Sequence, residues 1–353
     1  MIKVEKRKVL KQKPDFDNLG FGRYFTDHMF VMNYDEGQGW HDPRVVPYEN
    51  FSLDPATTVF HYAQEIFEGL KAFKNGDEIV LFRPDANFAR MNDSCERLCI
   101  PKLDPAVCIE GLKTLVDVDR DWVPSKEGTS LYIRPTIVGV DPFLGVKTSK
   151  SYIFYIILSP VAAYYAHGLS PVKIYVEENY SRASAGGTGA IKCGGNYAAS
   201  LIAGDEAKKL GFDQVLWLDA KEKKYVEEVG SMNMFFVIDG KVVTPALNGS
   251  ILPGITRRSV IQLLKDANIP VEERRISMQE IVEAAENGKL DESFGTGTAA
   301  VISPVGMLHY QGKDMVINDN KIGKIAKLMY DTVVGIQKQR VPDRYGWIVK
   351  VND

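Results

Sequence analysis

Cysteine and histidine are scarce in this sequence, and long apolar runs are missing. Four cysteines (Cys95, Cys99, Cys108, Cys193) and five histidines occur in 353 residues. The cysteines make no CxxC pair and no metal-finger spacing, so neither a redox pair nor a zinc finger is expected. Cys95 and Cys99 lie one helical turn apart and read as buried helix positions. The histidines form no HxH or HExxH pattern, which leaves no metal site to propose. Such thiol usage fits a reducing compartment, and the expected location is cytoplasmic. No stretch approaches about 18 consecutive apolar residues, the length a membrane span needs. The best candidate, Tyr152 to Val161, is strand-length. Net charge is small, at -3, so there is no electrostatic case for nucleic acid or an anionic membrane. The basic start, Met1 to Lys8, lacks a signal's apolar stretch and includes an acid, so it reads as a solvated leading segment rather than a secretory or transit peptide.

What is present is ordinary for a soluble globular chain: 45% hydrophobic and 25% charged residues. The length predicts two domains and a core that needs no staples. Helical and strand patterns are interleaved irregularly, which predicts an α+β fold. Helices are expected over Asn87 to Ile100, Asn196 to Leu210 (ended by Gly211) and Lys321 to Gln337. Ser277 and Glu280 form a capping box before another helix. Strands are expected over Leu131 to Ile137, Tyr152 to Leu158, Val172 to Glu177 and Gln214 to Leu218. Phe235 to Val243 reads as a hairpin with a type I′ turn at Asp239-Gly240. The predicted organisation is a small domain over 1–166, a connector over 167–180 and a larger domain over 181–353.

Glycine-rich stretches invite a nucleotide reading that the spacing refuses. Walker A needs glycine directly before its lysine, but Ile191 precedes Lys192. A dinucleotide fingerprint would need glycine at Lys192 itself. No G-x-S-x-G elbow exists. Asp117, Asp119 and Asp121 mimic the start of a calcium loop but lack its later glycine and glutamate, and read as a solvated acidic turn.

Lys192 is the most informative residue. It stands in Gly186-Gly187-Thr188-Gly189-Ala190-Ile191-Lys192-Cys193-Gly194-Gly195-Asn196-Tyr197, with apolar neighbours and flanking glycines that permit close backbone approach. Such a setting points the amine into a partly dry space, where desolvation lowers a lysine from its usual ~10.4. A neutral amine can attack a carbonyl. Other segments supply anion-binding features. Leu252-Pro253-Gly254-Ile255-Thr256-Arg257 enters an amphipathic helix, whose first N–H groups at Ile255 and Thr256 suit an anion; an ordinary capped helix reads equally well. Gly295 to Ala300 is either a second anion loop or a tight strand-to-strand turn. Arg90 falls opposite the Phe88/Met91/Cys95 stripe, a place where arginine is usually solvated. Glu227 and Glu228 precede a turn into an apolar strand and would usually be surface residues. Tyr132 and Arg134 share a strand face, which suits a carboxylate in a pocket or an edge-strand ion pair.

Taken in order, six segments resemble the branched-chain amino acid aminotransferases, pyridoxal phosphate enzymes of fold type IV. They are Phe67 to Ala72, Tyr132 to Pro135, the Lys192 segment, Glu228 to Asn233, Leu252 to Arg257 and Gly297 to Ala299. The resemblance implies that Lys192 holds the cofactor covalently and moves the substrate's α proton. It implies that Glu228 keeps the pyridine nitrogen protonated and that Tyr197 bonds the ring hydroxyl. Arg90, Ile255, Thr256 and Thr298 would grip the phosphate, with the Ser231 hydroxyl near it or the substrate. Phe67, Tyr62, Tyr132, Tyr164 and Val146 would line the apolar side. Arg134 would turn to the side-chain carboxylate of glutamate. Tyr62 and the N–H groups of Thr298 and Ala299 would take the α-carboxylate. A homodimer is implied, acting on amino acids and 2-oxo acids, with no redox CxxC because Ala300 and Ser303 occupy those positions. D-amino acid aminotransferases and aminodeoxychorismate lyases share the fold and are the alternatives. The Tyr132/Arg134 pair and the length argue against the first, and the apolar Phe67 and Val146 against the second.

Overall fold

The computed structural model describes residues 2–162 and 169–352; Tyr164 and the opening of the expected connector lie outside them. The chain divides into two compact units. Unit 1 comprises Met1–Ala166, Lys192–Gly194 and Ile336–Asp353, and unit 2 comprises His167–Ile191 and Gly195–Gly335. The sequence reading carries the second domain unbroken to the end. The structure instead gives unit 1 both the final stretch and the three residues that begin with Lys192.

Unit 1 is built on a largely antiparallel sheet. Its strands run in the order Lys3–Val4, Gly39–Pro47, His28–Asp35, Ser151–Val161, Ser130–Gly139, Leu70–Asn75, Glu78–Phe82 and Ile348–Lys350, and Glu65–Phe67 also pairs with Ser130–Gly139. Ser130–Gly139 is therefore interior, paired along its whole length with Ser151–Val161. That placement removes the edge-strand reading of Arg134. Alternation does the rest: Leu131 and Ile133 are fully buried, while Tyr132 and Arg134 are half-buried on the opposite face.

Two helices in unit 1, Pro84–Arg97 and Pro105–Val118, each begin with proline, where no N–H partner is lost. Asp104 caps the second by accepting from the Ala106 N–H. The expected stripe of Phe88, Met91 and Cys95 is buried. Cys99, expected in the same helix, lies beyond its end with φ 54° and is exposed. The acidic stretch is also not wholly solvated: Asp119 is buried and pairs with His28 Nδ1 at 2.6 Å.

In unit 2, Val226–Val229, Gln214–Leu218, Val172–Glu177, Val301–Tyr310, Leu290–Gly297 and Met232–Ile238 follow one another in a mixed sheet. Val226–Val229 also pairs with Met232–Ile238, so these six close into a ring with no open edge between them. The Asp239-Gly240 turn has φ 50° and 73°, as a type I′ hairpin requires. Ser277 caps Met278–Glu286 by accepting from the Glu280 N–H. The helix expected from Asn196 to Leu210 is broken. Gly194–Ala198 and Leu201–Lys209 are separate helices, and Ser200 Oγ turns back to donate to the Tyr197 carbonyl at 2.7 Å.

Gly111 lies in Pro105–Val118, and a Cβ there would strike the buried ring of Phe30. Overpacking costs about 1–3 kcal/mol, and alanine's helix propensity returns about 1 kcal/mol. Gly111→Ala is expected to lower stability by up to about 2 kcal/mol, read as a lower urea midpoint.

Candidate active site

Two assemblies form, one within each unit. In unit 1 the Lys192–Gly194 segment is pinned by three hydrogen bonds. The Lys192 N–H donates to Ser94 Oγ at 3.2 Å, the Phe67 N–H donates to the Lys192 carbonyl at 3.0 Å, and the Gly194 N–H donates to Glu65 Oε1. Lys192 Nζ stands 4.8 Å from the centre of the Phe67 ring. Burial pushes its amine down to about 8, helped by the Arg90 and Arg134 cations, while Glu68 and Tyr132 pull the other way. The partly dry space expected around this lysine is thus present.

Glu68 is fully buried and holds Arg90 through two bonds, Nε to Oε1 at 2.7 Å and Nη2 to Oε2 at 2.8 Å. Asn87 Nδ2 and the Gly69 N–H also donate to Oε2, at 2.7 and 3.1 Å. Burial alone would raise the Glu68 carboxyl, but Arg90 and Lys192 outweigh it and hold it below the usual range. Helical periodicity places Arg90 on a solvated face. The structure buries it, because Glu68 supplies a partner inside.

Arg134 donates from Nη2 to the Tyr132 hydroxyl at 3.1 Å and lies over the rings of Phe67 (4.6 Å) and Tyr132 (5.4 Å). Among the described residues its Nε is buried without a hydrogen-bond partner. The Tyr132 hydroxyl occupies the space a Cβ at position 69 would fill, which explains why Gly69 follows Glu68. Tyr62 and Val146 stand apart from this cluster's burial, at 39% and 85% exposure, and the Tyr62 hydroxyl donates to the Leu144 carbonyl.

Unit 2 joins three of the six segments. Leu252 N–H donates to Glu228 Oε1 at 2.7 Å, and Asn233 Nδ2 donates to the Leu252 carbonyl at 2.8 Å. Strand register sets Asn233 opposite Thr296, which leads into the Thr298–Ala300 turn. Glu228 is buried, with Arg182 Nε 3.3 Å from Oε2. Arg182 Nη2 also donates to the Gly189 and Ser250 carbonyls. Glu227 is buried as well, so neither acid is the surface residue its type predicts. A cavity of about 400 Å³ is lined by Arg182, Asn196, Tyr197, Glu228, Ser231 and Leu252, among others. Ile255 and Thr256 open the Ile255–Asp266 helix behind Gly254, which provides no side-chain cap. Their N–H groups therefore suit an external anion. Gly295 to Gly297 end the Leu290–Gly297 strand and residues 298–300 make the turn to Val301–Tyr310, where Val301 has φ 63°, rare for a β-branched residue.

Residues 65–307 match the amino-transferase class IV family. A probable branched-chain-amino-acid aminotransferase of Staphylococcus epidermidis is 58% identical over 351 residues, covering 99% of this chain and 98% of that one. Branched-chain-amino-acid aminotransferase 2 of Bacillus subtilis is 56% identical, covering 99% and 97%. Among solved structures, the branched-chain amino acid aminotransferase from Escherichia coli aligns with TM-score 0.74 at 26% identity, over 92% of this chain and all (100%) of that one. The T.th. branched-chain amino acid aminotransferase complexed with N-(5'-phosphopyridoxyl)-L-glutamate gives TM-score 0.74 at 28% identity, over 91% and 98%.

The chain belongs to the branched-chain-amino-acid aminotransferases.

It is an enzyme, and its fold is the α+β type IV of that family. Family motifs locate the amine but not its supports. Glu68 lies inside the Phe67 to Ala72 segment and Asn233 ends the Glu228 to Asn233 segment, both without an implied role, and no motif includes Glu65, Ser94 or Arg182. Of these, Glu68 has a usable signal, since a buried arginine needs an acid nearby.

In the chain free of cofactor, the reactivity of Lys192 toward an acylating reagent, followed by peptide mapping, is expected to rise with pH to a midpoint near 8. Glu68→Gln removes a charge that raises this amine, so the midpoint should move down. A midpoint near 10.5, the ordinary lysine value, would contradict the burial.

Proposed function

We propose that this enzyme moves the amino group of L-leucine, L-isoleucine or L-valine to 2-oxoglutarate, reversibly, with pyridoxal 5'-phosphate joined to Lys192. The observation that carries the reading is the Lys192 amine, lowered to about 8 beside Phe67, Tyr132 and Arg134. The donor chemistry fits the cofactor. An amine near neutrality suits an aldehyde, a buried Glu228 suits a protonated ring nitrogen, and the uncapped Ile255 and Thr256 N–H groups suit a phosphate.

When bound, the cofactor supplies an electron sink for the carbanion left at the substrate Cα. Lys192 Nζ takes the α proton and later returns it, a transfer worth ~10²–10⁴-fold when the base is positioned. Glu228, whose Oε2 lies 3.3 Å from Arg182 Nε, would hold the ring nitrogen. Tyr197 would offer its hydroxyl to the ring hydroxyl. Ile255, Thr256 and Thr298 would hold the phosphate, with Ser231 near the phosphate or substrate. Arg90 is the weaker phosphate ligand, because Nε and Nη2 are already taken by Glu68.

Two substrates must share one pocket. Phe67, Tyr132 and Val146 give the apolar wall, and Arg134, with its unpartnered Nε, gives the side-chain carboxylate of glutamate a partner. Tyr62 and the N–H groups of Thr298 and Ala299 take the α-carboxylate. We read the protein as a homodimer, because apolar Val146, left bare in the single chain, fits a site completed by a second copy.

The purified protein should be yellow, lose that colour with L-leucine and regain it with 2-oxoglutarate. Borohydride reduction followed by peptide mapping should mark Lys192, and Lys192→Ala should abolish turnover. Activity with D-alanine but not L-leucine would overturn the substrate assignment. Val146→Asp should shift sedimentation toward the monomer and lower activity at least about tenfold; an unchanged dimer would remove Val146 from the interface.

A further inference from the structure

Glu65 is the acid that the reaction described above leaves unused. It opens the Glu65–Phe67 strand, two residues before Phe67 and three before Glu68, and is half-buried. Its Oε1 accepts the Gly194 N–H, two residues beyond Lys192. A Cβ at position 194 would land on that same oxygen, so a larger residue there would push the Glu65 side chain off the Gly194 N–H. The charge is not neutralised by this bond. Register puts Glu65 opposite Val138 and Phe67 opposite Thr136, so alternation sets Glu65, Phe67 and Arg134 on one face of the sheet, with Arg134 4.6 Å over the Phe67 ring. Arg134 accordingly draws the Glu65 carboxyl down, and the Tyr155 phenol, opposite Thr136, feels the same carboxylate. Arg134 in turn has one buried guanidinium nitrogen without a hydrogen-bond partner among the described residues.

We propose that Glu65 is a positioning residue that tethers the Lys192–Gly194 segment and sets the balance between the two substrate classes through its charge on Arg134. The inference rests on the transaminase reading, since it assigns Arg134 to the dicarboxylic partner. With a branched apolar side chain in the pocket, the Glu65 carboxylate offsets the arginine's charge. With a dicarboxylate bound, the substrate's own carboxylate meets Arg134, and Glu65 then opposes it as a like charge. Burial raises the Glu65 carboxyl, while Gly194 and Arg134 pull it down less strongly, so this opposition fades as pH falls through its titration.

Glu65→Gln keeps an oxygen for the Gly194 N–H and removes the charge. It should lower KM for 2-oxoglutarate about three- to tenfold and change KM for L-leucine and kcat by less than about twofold. In the unsubstituted enzyme, KM for 2-oxoglutarate should fall on mild acidification, and in the Gln variant this dependence should vanish. Glutarate, a dicarboxylate that cannot react, should bind the variant about three- to tenfold more tightly by calorimetry. Glu65→Ala loses the tether too, so hydrogen exchange at the Gly194 amide should accelerate there and not in Glu65→Gln. Equal shifts of both KM values, unchanged glutarate binding, or identical behaviour of the Gln and Ala variants would each overturn the proposal. Tighter glutarate binding by Glu65→Gln in a protein that transaminates neither substrate would uphold Glu65's effect on Arg134 and remove the function instead.

Discussion

The buried pair of Glu68 and Arg90 is the constraint on which the rest of the lysine's surroundings depends. An unpaired ion in such a place would be strongly unfavourable, so each charge exists because the other does. Together they set two opposing fields on Lys192, and burial tips the sum toward a neutral amine. Asn87 and the Gly69 N–H complete the carboxylate's bonds, which fixes Glu68 in one orientation. The stretch that carries Glu68 also carries Phe67, whose backbone holds the lysine's own carbonyl. One short segment therefore sets both the charge and the position of the Lys192 nitrogen.

Unit 2 handles the opposite chemical task with different means. Its groups are mostly backbone donors and one acid, brought together by pairing between neighbouring strands. Glu228 and Asn233 lie on adjoining strands and both bond the Leu252 residue, through its N–H and its carbonyl. Arg182 binds Glu228 and two further carbonyls, so one side chain ties three stretches of backbone. This division suits a reaction in which covalent attachment and charge stabilisation are separate jobs.

Much of this is legible in the sequence. Strands with clear alternation, the type I′ turn and the Ser277 cap follow from local rules that tertiary packing does not override. The position of Lys192 between glycines is legible too. What is illegible is the burial of charge. Periodicity assigns Arg90 to a solvated face because it cannot see an acid contributed by a distant segment. Composition assigns Glu227 and Glu228 to the surface for the same reason. The break at Ala199 and Ser200 escapes because the Ser200 hydroxyl competes for the Tyr197 carbonyl within the helix, a contest propensity does not resolve. The return of the final residues to unit 1 depends on Ile348–Lys350 finding Glu78–Phe82, a pairing distant in sequence.

A branched side chain in the left-handed region, as at Val301, carries strain of order 1–3 kcal/mol, which only firm surroundings sustain. Its backbone is held opposite Gly297 across the turn, so the loop between them has little freedom to rearrange. A guest arriving at that corner meets a turn whose shape is already set. Little ordering entropy is then surrendered on docking, and a ligand of unsuitable shape cannot recover the difference by remoulding the loop.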